Sequence, residues 1–125
     1  MAEQTQRELH RHHDYVVALT RLFIEAFNAR DYGSAGALVS EDVELRGLDG
    51  SSLRGYPAVD ELIETAGQLD MVVVRTALEE LEEDDGGTIV TVPIRELIRG
   101  EELFRTAVFR VRDGEIVGYE TLSID

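Results

Sequence analysis

The chain predicts an α+β protein, with helices first and a mainly antiparallel sheet after them. Two patterns carry that prediction. The first is apolar residues at helical spacing near the N-terminus: Leu9, Val16, Leu19, Phe23 and Phe27, widened by Tyr15, Leu22 and Ala26. The second is the stretch 70–125, where apolar runs are separated by Asp84-Asp85-Gly86-Gly87, Arg99-Gly100-Glu101-Glu102 and Arg112-Asp113-Gly114-Glu115. Asp-Gly between such runs is a hairpin signal, because both loop residues can take positive φ; Gly100-Glu101 is a weaker version. A bent sheet wrapped around amphipathic helices leaves a space between them, and such a space suits a small molecule.

The elements follow in order. Thr5 with Glu8 makes a capping box that opens the first helix, with Asp14 as a second start. That helix is expected to end near Ala29, before Asp31-Tyr32-Gly33. Ser34 N-caps a short second helix reaching Val39. Residues 43–46 and 51–54 read as short strands around Leu48-Asp49-Gly50, where Asp49 suits turn geometry. Pro57 suits the first turn of a third helix, buried through Val59, Leu62, Ile63 and Ala66 and ended by Gly67. Four strands joined by the three turns then run to the C-terminus. No repeat, linker or low-complexity tract divides residues 1–125, which read as one domain.

Charge narrows the function classes. The net charge is -14, from 26 acids and 12 bases. That field repels phosphate backbones and anionic lipids, so neither nucleic acid nor membrane is an expected partner. All 12 bases are Arg. Without Lys, Schiff-base chemistry and the lysine-bearing phosphate loop are removed. Without Cys, disulfides, thiolate catalysis and zinc ribbons are excluded. Nothing resembles a signal peptide, and the longest unbroken apolar run, 15–19, falls far short of the roughly 20 residues that cross a bilayer. A soluble, cytoplasmic protein without a cofactor is expected. His10 and His13 lie one helical turn apart beside His12, but no acid-rich core motif accompanies them. A solvated face is expected there rather than a metal site.

Register arithmetic locates the candidate site. With Gly100-Glu101 as the second loop, Ile98 faces Leu103, Glu96 faces Arg105, Ile94 faces Ala107, Val92 faces Phe109 and Val90 faces Val111. All share one face, since side chains alternate with period two. Glu96 and Arg105 are the polar exceptions. An ion pair inside an apolar face is costly unless it is used or well hydrogen-bonded. The same arithmetic places Arg75 opposite Glu96, and Glu120 opposite Ala107 and diagonal to Arg105. Those four charges form one expected network on the concave face. Glu96 is the candidate general acid/base or anchor for a polar ligand group, with Arg105 tuning it or binding an oxyanion. The alternative is a structural ion pair that fixes strand register. Tyr15 and Phe23 lie on the helix stripe that roofs the space, where core packing is the default, and the Tyr15 hydroxyl can orient a ligand.

The opposite face carries Ile89, Pro93, Leu97, Phe104, Val108, Val117 and Tyr119, mixed with Thr91, Arg95, Thr106 and Arg110. That is too apolar for a fully wet surface, and a homodimer partner covering it is expected. The acidic run 79–85, broken only by Leu81, reads as a solvated strand end that discourages edge pairing.

Several motifs resemble the SnoaL-like, nuclear transport factor 2-like superfamily. They are Phe23-Ile24-Glu25-Ala26-Phe27-Asn28-Ala29-Arg30-Asp31, then Glu41-Asp42-Val43, then Leu53-Arg54-Gly55, and last Val108-Phe109-Arg110-Val111-Arg112-Asp113-Gly114-Glu115-Ile116-Val117. The resemblance covers nearly the whole chain. It implies a conical α+β barrel with an interior pocket, usually a homodimer. It specifies chemistry poorly, because isomerases, cyclases, epoxide hydrolases, dehydratases and non-enzymatic binders share the fold. Ketosteroid isomerases place a tyrosine and two acids where this chain looks to have Phe23, Gly47 and Ala107. The Asp-Arg-Asp set of limonene-epoxide-hydrolase-like members looks to fall on Glu96, Ile94 and Thr121, so one carboxylate survives in kind. SnoaL-type cyclases need a pocket acid, which Glu96 or Glu120 can supply. The resemblance implies that Tyr119 and Thr121, rather than Glu120, face the pocket, and a bulge in the last strand reconciles the two registers. With Phe109 beside them, these residues would line a site for a small apolar, polyketide-like or terpenoid-like ligand. A non-catalytic ligand-binding or dimerisation module is the alternative.

Overall fold

The computed structural model describes residues 2–46 and 51–123, and the side chains of 11–46 and 51–123. The Leu48-Asp49-Gly50 turn, Gly47 and the side chains of Thr5, Glu8, Leu9 and His10 lie outside the described residues. Three helices precede most of the sheet: α1 (Ala2–Ala29), α2 (Tyr32–Ala37) and α3 (Tyr56–Gln68). The strands are β1 (Val39–Arg46), β2 (Ser52–Arg54), β3 (Met71–Arg75), β4 (Glu80–Asp84), β5 (Gly87–Ile98), β6 (Glu101–Arg112) and β7 (Glu115–Ser123). They form one sheet in the order β2-β1-β7-β6-β5-β3, with β4 also on β5. Every pairing is antiparallel except β1 with β7. This is the expected α+β class. The sheet is curved but not closed, so helices rather than strand pairing complete the cone.

The helices form where the spacing placed them, but their starts differ. Helix α1 begins at Ala2, so neither Thr5 nor Asp14 opens it. Its buried stripe is Val16, Leu19, Phe23, Ile24, Ala26 and Phe27, packed on the concave sheet face. The cap of α2 is Asp31, not Ser34: Oδ1 accepts from the Ser34 backbone at 3.1 Å and Oδ2 from the Ser34 hydroxyl at 2.6 Å. Ser34 is the capped residue, three places on. Pro57 does sit in the first turn of α3, and Ala58, Val59, Leu62, Ile63 and Ala66 are its buried face. Gly67 lies inside that helix, whose C-cap is Leu69.

The motif Asn28-Ala29-Arg30-Asp31 is the joint of the fold. Asn28 donates through Nδ2 to the Val73 carbonyl at 2.8 Å and accepts through Oδ1 from the Val73 amide at 2.9 Å. Its amide thus stands in for a neighbouring strand on the edge of β3. Arg30 donates to the carbonyls of Phe27, Ala66 and Met71, tying the end of α1 to α3 and β3.

Two register expectations are corrected. The loop between β5 and β6 is Arg99-Gly100, with φ of 50° and 85°, and not Gly100-Glu101. A two-residue loop of this hand needs positive φ at both positions, with glycine second here as at Asp113-Gly114. Glu96 therefore stands opposite Leu103, and Arg105 stands opposite Ile94. The shift is two residues, so the face is unchanged. The stretch expected as one strand before Gly86 is two, β3 and β4, both on β5. Between them residues 76–79 leave the ladder beside Pro93. The Pro93 carbonyl accepts from the Thr76 amide at 3.0 Å, and the proline has no N–H to offer that side.

Candidate functional site

The concave face gathers Val90, Val92, Ile94 and Glu96 from β5, Ala107, Phe109 and Val111 from β6, and Tyr119 from β7, all buried. Tyr119 reaches this face because β7 carries the bulge: Val111 pairs with Ile116, but Arg110 pairs with Gly118, leaving Val117 as the extra residue. Tyr119 then opposes Phe109 and Thr121 opposes Ala107. Phe23, Phe109 and Tyr119 form one aromatic cluster, with ring centroids 4.9 to 5.9 Å apart.

Glu96 is a charged residue of the interior, with 1% of its side chain exposed. Arg105 donates through Nε to its Oε1 and through Nη1 to the Ser123 hydroxyl at 3.2 Å. The arginine is only partly covered, with 29% of its side chain exposed, so it connects the buried carboxylate to the rim. Oε2 of Glu96 is buried and has no hydrogen-bond partner among the described residues. A buried, unmatched acceptor is a costly feature for a protein to keep. The Tyr119 hydroxyl has its pKa raised, first by burial and then by the charge of Glu96, so the phenol is held neutral. Chemically, the cluster offers a carboxyl oxygen that can take a hydrogen bond or a proton, inside an aromatic wall.

The remaining candidates are placed elsewhere. Glu120 opposes Val108 on the outer face and binds Arg46 at 3.1 Å, because the bulge rotates it away from the interior. Arg75 opposes Ile94 and pairs with Glu79 at 3.3 Å rather than joining Glu96, since the 76–79 detour brings that acid beside it. Tyr15 is 53% exposed, and its hydroxyl donates to the Gly114 carbonyl at 3.0 Å. It pins α1 to the β6–β7 hairpin instead of roofing the aromatic cluster. His12 contacts the Thr88 hydroxyl at 3.1 Å and His13 contacts Glu83 at 3.1 Å. Thr88 also donates to Glu83 at 3.3 Å, so these histidines hold α1 to β4 and β5. Sequence reasoning missed the Arg21–Glu79 pair, where Arg21 donates twice to Glu79 at 2.7 and 2.9 Å. Its partners lie 58 residues apart, and no local pattern marks them.

The cavities formed by the described residues include three around the molecule. One, of about 210 Å³, is an outer-face groove beside Gly118. A second, of about 460 Å³, runs between α1 and α2 along Leu22, Ala26 and Leu38. A third, of about 490 Å³, lies where His12 and Tyr15 meet the hairpin tips. None of these three is lined by Glu96 or Arg105. Among the described residues, no group of His, Cys, Asp and Glu is arranged to hold a metal ion, and no helix is long and apolar enough to cross a membrane.

The family model described as the SnoaL-like domain matches residues 20–119. The chain belongs to the SnoaL-like domain family. Solved structures with this fold include a candidate ketosteroid isomerase from Kribbella flavida DSM 17836, 19% identical, with a TM-score of 0.69 over 90% of this chain and 79% of the other. A candidate polyketide cyclase from Xanthomonas campestris pv. campestris is 19% identical, with a TM-score of 0.65 over 86% of this SnoaL-like chain and 89% of the other. An epoxide hydrolase of the LEH-like type from M. tuberculosis is 15% identical, with a TM-score of 0.63 over 86% and 81%. Likeness at these identities shows the fold alone. A search of curated proteins gives no match.

Proposed function

We propose that this SnoaL-like protein binds a small apolar molecule of polyketide-like or terpenoid-like character at Glu96, and that Glu96 moves a proton on it in an isomerase, cyclase or hydrolase type of reaction. The observation that carries this reading is the unmatched Oε2 of a carboxylate buried to 1% exposure. A ligand hydroxyl or acidic C–H placed there would supply the missing partner. Arg105 holds the other oxygen and so fixes the direction in which Oε2 points. Phe23, Phe109, Tyr119 and Thr121 form the wall that would meet the apolar body of the ligand. The names of the similar structures agree with this chemistry and do not choose among its forms.

A second reading rests on a different observation. Phe23, Phe109 and Tyr119 are packed against one another, so the ion pair can instead be a structural element of a filled interior in a non-catalytic module. Replacing Glu96 by Gln separates the two. A panel of polyketide-type phenols, steroid enones and terpene epoxides is screened by NMR shift changes and turnover in both proteins. Binding or turnover that disappears in Glu96→Gln while the fold persists supports the first reading. Unchanged binding and turnover with lost stability would sink it. The outer sheet face, with Phe104 56% and Leu122 48% exposed, is the proposed homodimer contact.

A further inference from the structure

Arg110 is an exposed arginine on the outer sheet face, and its ladder neighbours are uncharged: Ile89 on β5 and Gly118 on β7. It makes no ion pair among the described residues, in a chain where acids outnumber bases by 26 to 12. The guanidinium groups around it are committed. Arg46 holds Glu120 at 3.1 Å, and Arg54 holds Glu44 at 3.1 Å. Arg112 stands opposite Glu115 and donates to the Asp85 carbonyl at 3.4 Å.

A groove of about 210 Å³ opens beside Arg110 and is lined by Gly118. Positive φ occurs at Gly55, Gly86, Gly100 and Gly114 but not at Gly118, so the backbone does not require glycine there. Space does. A Cβ at that position would lie 3.4 Å from Cδ, 3.5 Å from Cβ and 3.7 Å from Cγ of Arg110, so the arginine stem lies along the glycine. Val108 and Val117 give the groove an apolar wall, and Glu44, Arg46, Arg112 and Glu120 complete its charged lining.

We propose that this groove is a second ligand site, which binds a small monocarboxylate through the Arg110 guanidinium and its short apolar body against Val108 and Val117. The site lies across the sheet from Glu96 and does not depend on the reading of that residue. A guanidinium fork matches the two oxygens of a carboxylate. The lining sets the charge of the occupant. Three arginines against two glutamates leave one positive charge over, and Glu44 and Glu120 repel any second negative charge. That favours a carboxylate over a phosphate dianion. The size follows from the volume, which is below the roughly 300–1,000 Å³ of pockets for larger ligands. The net charge of -14 does not prevent binding, because salt at physiological strength screens exposed charges beyond about 8 Å. The apolar patch at Phe104 is separate, since six residues along β6 place it about 20 Å from Arg110.

Proton–nitrogen NMR tests this, with sodium butyrate and sodium benzoate titrated against sodium chloride at equal ionic strength. The carboxylates are expected to give saturable shifts at the Gly118 amide and the Arg110 Nε–H, with Kd of about 1 mM. Arg110→Gln should weaken binding at least about tenfold, and Arg110→Lys should not restore it, because lysine keeps the charge without the fork. Arg99→Asn removes the same charge at the other end of β6, where asparagine accepts the positive φ, and should bind like the wild type. Gly118→Val, checked for folding by circular dichroism, should lose binding because its side chain displaces the Arg110 stem; if it does not fold, Arg110→Gln decides alone. Equal shifts with chloride would reduce the effect to general screening and overturn the site. Arg110→Gln binding like the wild type overturns it as well. Inorganic phosphate binding more tightly than butyrate overturns the monocarboxylate assignment.

Discussion

Arg105 reaches Glu96 from a diagonal position, two residues along β6 from Leu103, which stands opposite the acid. Diagonal neighbours on one face are about 7–8 Å apart, within the span of an arginine. The pairing satisfies one oxygen and leaves the other bare. Removing the arginine while keeping the acid strands a buried charge, so Arg105→Met should cost about 3 kcal/mol in urea unfolding. Adding Glu96→Met to it should recover most of that loss, because the apolar pair needs no desolvation of charge. A double variant no more stable than Arg105→Met would show that the acid is not the source of the cost.

Asn28 should be as sensitive as a core residue, although its side chain is amide. It replaces both hydrogen bonds that a neighbouring strand would give Val73. Asn28→Ala leaves the Val73 amide and carbonyl without partners and should cost about 2 kcal/mol. Hydrogen exchange at the Val73 amide should accelerate before global unfolding does. Unchanged exchange there would mean that the β3 edge is held by other contacts.

These two residues also mark what can be read from sequence. Period-two alternation assigned Glu96 and Arg105 to one apolar face correctly, because a slip by two residues preserves the face. Their partners could not be fixed, since that required knowing that Arg99 takes positive φ so that glycine falls second in the loop. The Asp113-Gly114 loop was legible because its glycine already occupies that place. The bulge at Val117 was visible only as a conflict between hairpin register and the family resemblance, and it decides that Tyr119 faces in and Glu120 out. The detour at 76–79 was hidden, because its determinants are the Arg21–Glu79 contact, made far apart in the chain, and the missing N–H of Pro93. The Asn28-Ala29-Arg30-Asp31 motif carried the resemblance, and its contacts explain why it reports fold rather than chemistry.

Glu79 should govern part of the acid stability. Its side chain is 2% exposed and accepts from Arg21, which also lowers its pKa; the charges of Arg21 and Arg75 add to that. A carboxylate whose folded pKa is depressed stabilises the fold above its unfolded value of about 4.3, and that stability is lost as pH falls toward the folded value. Glu79→Gln should therefore be less stable than the wild type at pH 7, and the gap should narrow as pH drops below about 4. Thermal unfolding followed from pH 7 to 3 measures this. Parallel curves for the two proteins would show that Glu79 carries no such linkage.

Tyr119 should set the alkaline limit. Its phenol is buried, and burial together with the Glu96 charge raises its pKa above the ordinary value. A raised pKa means that the folded state keeps its proton while the unfolded chain loses one. The associated stability is present below about pH 10 and declines as pH rises further. In an absorbance titration at the phenolate band, one of the four tyrosines should fail to ionise until the protein unfolds. Tyr119→Phe should remove that delayed step and flatten the loss of stability above about pH 10, while the Phe109 contact across the ladder keeps the core packed. If the delayed step survives the substitution, the shielded phenol belongs to another tyrosine, and the coupling between Tyr119 and Glu96 has no support.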